Sequence, residues 1–204
     1  MTYKLYYWPL QGRGEQIRLL LHDLGETFED IHIKPDGEFK TLKKQGAGTL
    51  YFKSVPMLQD GDFKLVQGPV IMNYLGRKHG LMSEDLQIAA KTEAMVLGAE
   101  DMRMAYFRSF GTSDEALEKQ AVFIKEQWQP RWLSSWNELL EINGDNGFLV
   151  GDKLTQADVA VWDALDAVTH WIEGAVFNDY PRLEKFHEKI SQRPGIETYL
   201  KQRK

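Results

Sequence analysis

The chain has 204 residues, 43% hydrophobic and 27% charged, an ordinary soluble composition for one large domain or two small ones. Its net charge of −5 provides no basic excess to neutralise nucleic-acid phosphates, no apolar stretch approaches the roughly 20 residues of a membrane span, and the N-terminus lacks the layout of a signal peptide. The absence of cysteine excludes disulfides, cysteine catalysis and thiolate metal sites and fits a cytoplasmic protein, while five histidines without ligand spacing make a metal site unexpected.

Residues 3 to 8, YKLYYW, are rich in aromatics and predict a strand that Pro9 ends. From Gly14 the pattern changes. Ile17, Leu20, Leu21 and Leu24 fall at i, i+3, i+4 and i+7, which predicts a helix with Gly25 placed at its C-terminus. FEDIHI, 28 to 33, predicts a second strand and completes a βαβ unit. Residues 35 to 54 carry only a weak helical pattern around Phe39 and Leu42. VPMLQDGDFKLV, 55 to 66, predicts a hairpin with Asp60-Gly61 as its turn signal. Gln67-Gly68-Pro69 then opens a helix that runs to Gly80, with proline where its missing N–H costs little.

Beyond residue 85 strand signals nearly vanish. Residues 86 to 110 predict one long helix, and Thr112 with Glu115 reads as the capping box of the next. That helix carries Trp128, Trp132 and Trp136 at i, i+4 and i+8, with Pro130 as a kink. Thr155 and Asp158 are spaced to cap a mostly apolar helix, and two short helices follow around 181 to 191 and 194 to 202. The expected organisation is an α/β domain over residues 1–80 (βαβ then ββα), a linker over 81–85 and an all-α helical-bundle domain over 86–204.

The chemistry concentrates at a few places. Tyr7 ends the first strand, where open α/β sheets place ligands, and its hydroxyl suits an anion such as a thiolate; Tyr6, Tyr7 and Trp8 read equally as core and rim aromatics. Arg13 lies between two glycines at a helix N-terminus, as an anion ligand or a solvated loop cation. Val55-Pro56 fits either a cis bond presenting backbone to an extended ligand or a plain edge-strand proline. The acidic pair Glu100-Asp101 inside a long helix and the tryptophan row have ordinary readings as solvated and core residues.

YYWPLQGRGEQIRLLL, EFKTLK, SVPMLQDGD, VQGPVIMNYLGRKHGL, GAEDMR and VGDKLTQADVAVWD, in that order and across essentially the whole chain, resemble the tyrosine-type cytosolic glutathione transferases of the Sigma and Pi classes. The resemblance implies a thioredoxin-like glutathione-binding domain followed by a helical domain. It implies Tyr7 and Arg13 as the catalytic pair, and glutathione as a cosubstrate with no permanently bound cofactor. Phe39 and Lys43 would flank the glycine end of glutathione, Val55 and Pro56 its cysteinyl part, and Gln67 and Gly68 its γ-glutamyl end. Asp101 would reach the same end across a homodimer that Phe52 helps to join. Trp8, Leu10, Tyr106, Phe110 and Gly111 would line a pocket for hydrophobic electrophiles.

The chain departs from the family pattern in several places, among them Phe39 where a tryptophan is usual, a longer connection from Lys43 to Pro56, and two glycines. Gly68 replaces the usual serine, removing a hydroxyl whose charge-assisted hydrogen bond is worth about 1.5 to 3 kcal/mol. Gly111 replaces a pocket tyrosine of Pi-like chains, which is expected to open the pocket. The implied activity is conjugation of glutathione to small electrophiles. Its alternatives are a glutathione-dependent isomerase or peroxidase in the same fold, and a non-catalytic crystallin-like or ligandin-like member.

Overall fold

In YKLYY every second side chain is buried, and these residues form β1 (Tyr3–Tyr7) at the centre of a small sheet. The computed structural model describes residues 2–46, 48–169, 172 and 176–203. β1 pairs in parallel with β2 (Phe28–His32) and antiparallel with β3 (Met57–Asp60), which continues antiparallel to β4 (Phe63–Val66), in the order β2-β1-β3-β4. The β3–β4 turn is Gly61-Asp62, one residue later than the sequence signal, because Asp60 pairs with Phe63 and Gly61 takes the positive φ of 60° that the turn needs.

Helix α1 (Gly12–Asp23) connects β1 to β2, α2 (Glu38–Lys44) and a short 3₁₀ turn (Tyr51–Lys53) precede β3, and α3 (Gly68–Lys78) follows β4 with Pro69 in its first turn. One core of this layer is Ile33, Leu42, Leu50, Met57 and Val66, with Trp8, Phe39 and Val55 packed against it. The weak pattern around Phe39 and Leu42 is thus a real helix whose apolar residues close that core.

The chain divides into two units, Met1–Met82 with Arg193–Lys204, and Ser83–Gln192. The last helix, which the sequence reading places in the helical domain, packs in the structure with the unit that holds the sheet. This helix, α9 (Pro194–Gln202), packs along α1. Arg193 pairs with Asp23 at 2.7 Å, and the Tyr199 ring stacks on His22 at 4.5 Å. With α3 on another side, this packing buries α1 on nearly all sides, its polar Glu15, Gln16 and Arg18 included.

The second unit is built on α4 (Leu86–Arg108) packed against α7 (Gln156–Thr169), with α5 (Asp114–Phe123), α6 (Gln129–Ile142) and α8 (Pro181–Ser191) around them. Asp85 caps α4 through the Gln87 and Ile88 N–H groups. α5 is capped by Ser113 rather than Thr112, because the Ser113 hydroxyl is the one that reaches the Ala116 N–H, at 3.2 Å. The expected kink at Pro130 takes the form of a π-helical turn, Ile124–Trp128, just before it. A proline offers no N–H to the preceding turn, and a widened turn absorbs the gap. The Thr155–Asp158 cap is present: Asp158 accepts the Thr155 N–H at 2.7 Å, its hydroxyl at 3.0 Å and the Leu149 N–H at 2.8 Å. Burial pushes the Asp158 carboxyl up to about 6 despite these bonds.

Candidate active site

Tyr7 is the last residue of β1 and is only 6% exposed. Its carbonyl accepts the Ile33 N–H at 2.9 Å, fixing the strand end. Its hydroxyl oxygen accepts the backbone N–H of Arg13 at 2.9 Å. That N–H belongs to the first turn of α1, where intrahelical acceptors are lacking and the helix dipole is positive. A negative charge beside this hydroxyl would therefore meet a favourable field as well as a phenolic proton.

The two glycines around Arg13 make room for the tyrosine. An ideal Cβ on Gly14 would stand 2.4 Å from Tyr7 Cδ1 and 2.6 Å from Cγ. One on Gly12 would stand 2.8 Å from the hydroxyl and 2.9 Å from Leu10 Cδ1, at a φ of +48° that side chains seldom adopt. The motif GRG is thus the shape of a phenol ring laid on bare backbone.

Arg18, absent from the sequence-derived site, holds the turn after Tyr7. It is 4% exposed and donates to the carbonyls of Leu10 at 2.9 Å and Trp8 at 3.3 Å. It pairs with Asp30 at 2.7 Å and Glu15 at 3.1 Å, and its guanidinium lies 5.7 Å from the Tyr7 ring centroid. Burial works against its charge, but the hydrogen bond and charge of Asp30, with Glu15, outweigh it and raise its pKa. Glu15 also accepts from the Tyr199 hydroxyl at 3.0 Å and from Arg203 at 3.3 Å. Burial and the Glu15 charge together raise the Tyr199 pKa. A sequence signal existed: an arginine inside the apolar run IRLLL, with an aspartate on the neighbouring strand.

Close by, the Val55-Pro56 bond is cis, at the entry to β3. Gln67 is exposed at a φ of 76°, and the buried Gly68 starts α3. An ideal Cβ on Gly68 would lie 3.0 Å from Gln16 Nε2, 3.4 Å from the Arg13 carbonyl oxygen and 3.8 Å from Pro56 Cγ. The first turns of α1 and α3 and the start of β3 therefore converge beside the Tyr7 hydroxyl.

Family likeness extends over both parts of the chain. Residues 1–77 match the glutathione S-transferase N-terminal domain, and residues 100–203 match the glutathione S-transferase C-terminal domain. The chain belongs to the glutathione S-transferase family. It is 33% identical over 205 residues to a glutathione S-transferase of Dirofilaria immitis, covering 100% of this chain and 94% of that one. It resembles the structure of the Onchocerca volvulus Pi-class glutathione S-transferase with a TM-score of 0.86 at 30% identity, over 100% of this chain and 94% of that one. It also resembles prostaglandin synthase D of Nilaparvata lugens, with a TM-score of 0.83 at 27% identity, over 100% and 99% of the two chains.

Set in a glutathione S-transferase, the remaining sequence-derived residues fall into two groups. In the first unit, Phe39 packs edge-on against Trp8 with ring centroids 4.9 Å apart, and the Lys43 ammonium lies 4.5 Å from the Phe39 centroid. Leu10 projects from the turn, exposed. In the second unit, Asp101 is exposed on α4. Tyr106 and Gly111 differ from expectation. Tyr106 is 1% exposed, enclosed by Phe107, Phe110 and Trp128, and burial pushes its pKa up to about 12; it is core under a surface rather than the surface. Gly111 does not open a space. Its ideal Cβ would fall 2.2 Å from the Ala116 methyl, so α5 fills the volume that a tyrosine would have claimed. Phe110 is exposed, beside Phe107 with ring centroids 5.7 Å apart.

Among the described residues no group of histidines and carboxylates could hold a metal, and no helix is long and apolar enough to cross a membrane.

Proposed function

We propose that this glutathione S-transferase family member joins the sulfur of glutathione to small hydrophobic electrophiles. The observation that carries the reading is the Tyr7 hydroxyl, on a buried ring and accepting the first-turn Arg13 N–H at 2.9 Å. Its proton would be donated to the glutathione sulfur, favouring thiolate over a thiol of ordinary pKa about 8.5. The positive end of α1 and Arg13 would add to the same stabilisation. The thiolate then attacks the electrophilic carbon, a C–S bond forms, and the leaving group departs with its electron pair. The chain supplies orientation and charge stabilisation; the thiol comes with the cosubstrate, so no cysteine is needed.

In this reading Val55 and Pro56 meet the cysteinyl part of glutathione, Gln67 and Gly68 the γ-glutamyl end, and Phe39 and Lys43 the glycine end. The electrophile meets Trp8 and Leu10. The protein works as a homodimer in the cytoplasm, with Asp101 serving the partner's site.

The test is thioether formation between glutathione and an aryl halide, by wild type and Tyr7→Phe, across about pH 5.5 to 8.5. The variant is expected to lose at least about tenfold in rate near neutrality, roughly 1.4 kcal/mol of transition-state stabilisation, and to recover as pH rises and free thiolate grows. A wild-type rate no higher than buffer would remove the conjugation reading. The likeness to prostaglandin synthase D of Nilaparvata lugens favours a second reading, an isomerase that uses the thiolate and regenerates it. Thiol loss in step with product marks conjugation; product without thiol loss marks isomerisation.

A further inference from the structure

Gln16 is a polar residue where α1 has no surface. It is 2% exposed, and its amide nitrogen donates to the Arg13 carbonyl at 3.3 Å. The same nitrogen stands 3.0 Å from the point that a Cβ on Gly68 would occupy. A side chain at position 68 therefore requires the Gln16 amide to withdraw by a few tenths of an ångström. The obstruction is the far end of a flexible side chain, not backbone, so it is soft. The bare start of α3 and the long amide on α1 pack closely, and Gln16 encroaches by a few tenths of an ångström on the space a side chain at position 68 would need.

We propose that Gln16 and Gly68 form one specificity-determining pair for glutathione. Gln16 is a positioning residue. It packs the bare Gly68 backbone so that the Gly68 N–H meets the γ-glutamyl carboxylate, in place of the hydroxyl a serine would bring. This rests on the reading that the γ-glutamyl end binds at Gly68. Close-packed interiors transmit the loss of a side chain to the backbone it supported, and a glycine resists that movement least. The Tyr7 hydroxyl accepts the Arg13 N–H, whereas Gln16 donates to the carbonyl at the other end of that residue. Loss of Gln16 should therefore weaken glutathione binding and leave the chemical step alone.

The test is a double-mutant cycle on the full-length protein, with KM for glutathione, KM for the electrophile and kcat measured on Q16A, G68S and the double variant. Thermal unfolding with and without millimolar glutathione shows whether each variant folds, and Q16S replaces Q16A should the latter fail to. Q16A is expected to raise KM for glutathione by about fivefold or more, with kcat and the electrophile KM within about twofold. G68S alone, crowded by Gln16, should improve KM by less than about twofold, whereas in the Q16A background it should improve it by at least about fivefold. Q16M, which keeps the length without the donor, should restore KM for glutathione to near wild type. A G68S effect of the same size in both backgrounds, or no rise of KM in Q16A, overturns the pair while the transferase reading stands. A wild type that glutathione does not saturate removes the reading and the pair together.

Discussion

Gly14 leaves the Tyr7 ring the room it occupies, and little more. A methyl at residue 14 would penetrate the phenol ring, and the ring cannot retreat without leaving the Arg13 N–H that its hydroxyl accepts. Gly14→Ala is therefore expected to lower kcat/KM for conjugation by about tenfold or more, with an overpacking cost of about 1 to 3 kcal/mol in stability. Steady-state kinetics beside chemical unfolding would check this; a variant with wild-type values of both would mean that the ring has room to move. At this scale the sequence disclosed what is local. Tyr7, Arg13 and Pro56 stand out through neighbours a few positions away, but their local pattern left each with an ordinary alternative, which for Pro56 the cis bond decides. Arg18 and Glu15 stayed hidden because their meaning depends on Asp30 and on Tyr199 and Arg203, the last two more than 180 residues away in the chain. Gly111 misled for a related reason: a missing side chain reads as space until the residue that fills it, Ala116, is known.

Among the elements, α7 carries its start signal in its own sequence. Thr155 and Asp158 are three apart, and the structure joins them through the carboxylate that also takes the Leu149 N–H. The Asp158 pKa of about 6 lies above its ordinary 3.8 because burial penalises the charge more than the three hydrogen bonds reward it. The folded chain therefore binds a proton on Asp158 below about pH 6, where the unfolded chain does not until about pH 4. This group's contribution to stability rises as pH falls through that window, by up to about 3 kcal/mol, and is absent above it. The stability of wild type relative to Asp158→Asn should rise by about 2 kcal/mol from about pH 6.5 to 4 in urea unfolding; a difference independent of pH would mean that the carboxyl titrates as it does in the unfolded chain. The other elements were legible to the extent that their signals were intrinsic. The β3–β4 hairpin, α1 and α3 follow from periodicity and turn residues. The cap of α5 slipped by one residue because Thr112 and Ser113 both carry hydroxyls and only geometry selects between them. Pro130 predicted a break, but whether the chain kinks or widens into a π turn depends on packing around Trp128, whose indole N–H reaches the Met102 carbonyl at 3.1 Å.

For the whole molecule, the decisive residue is one that the single chain leaves largely in water, touched edge-on by the Tyr51 ring. Phe52 is 76% exposed, and it and Lys53 hold positive φ angles of 53° and 51° in the turn before β3. An aromatic ring in water forgoes burial worth about 1.5 to 3 kcal/mol, and a positive φ at a non-glycine residue costs about 1 kcal/mol more. In the proposed homodimer a second copy would cover this turn, and closed two-fold symmetry is the commonest way to supply one. Asp101 makes the same argument from the other unit: it is exposed on α4, and its proposed partner is the γ-glutamyl amine bound to another subunit. The two ideas are linked in a single experiment. Phe52→Ser should convert a species of twice the chain mass to one chain mass in sedimentation velocity at micromolar concentration. In the dissociated form, glutathione KM should rise by about fivefold or more, as for loss of a charge-assisted contact, while Asp101→Asn should raise KM without changing the mass. If Phe52→Ser dissociates the protein and leaves KM untouched, Asp101 does not reach across the interface. If wild type already sediments as one chain, Phe52 needs another explanation and the γ-glutamyl end must be held by the first unit alone, with Gln16 and Gly68 bearing most of that task.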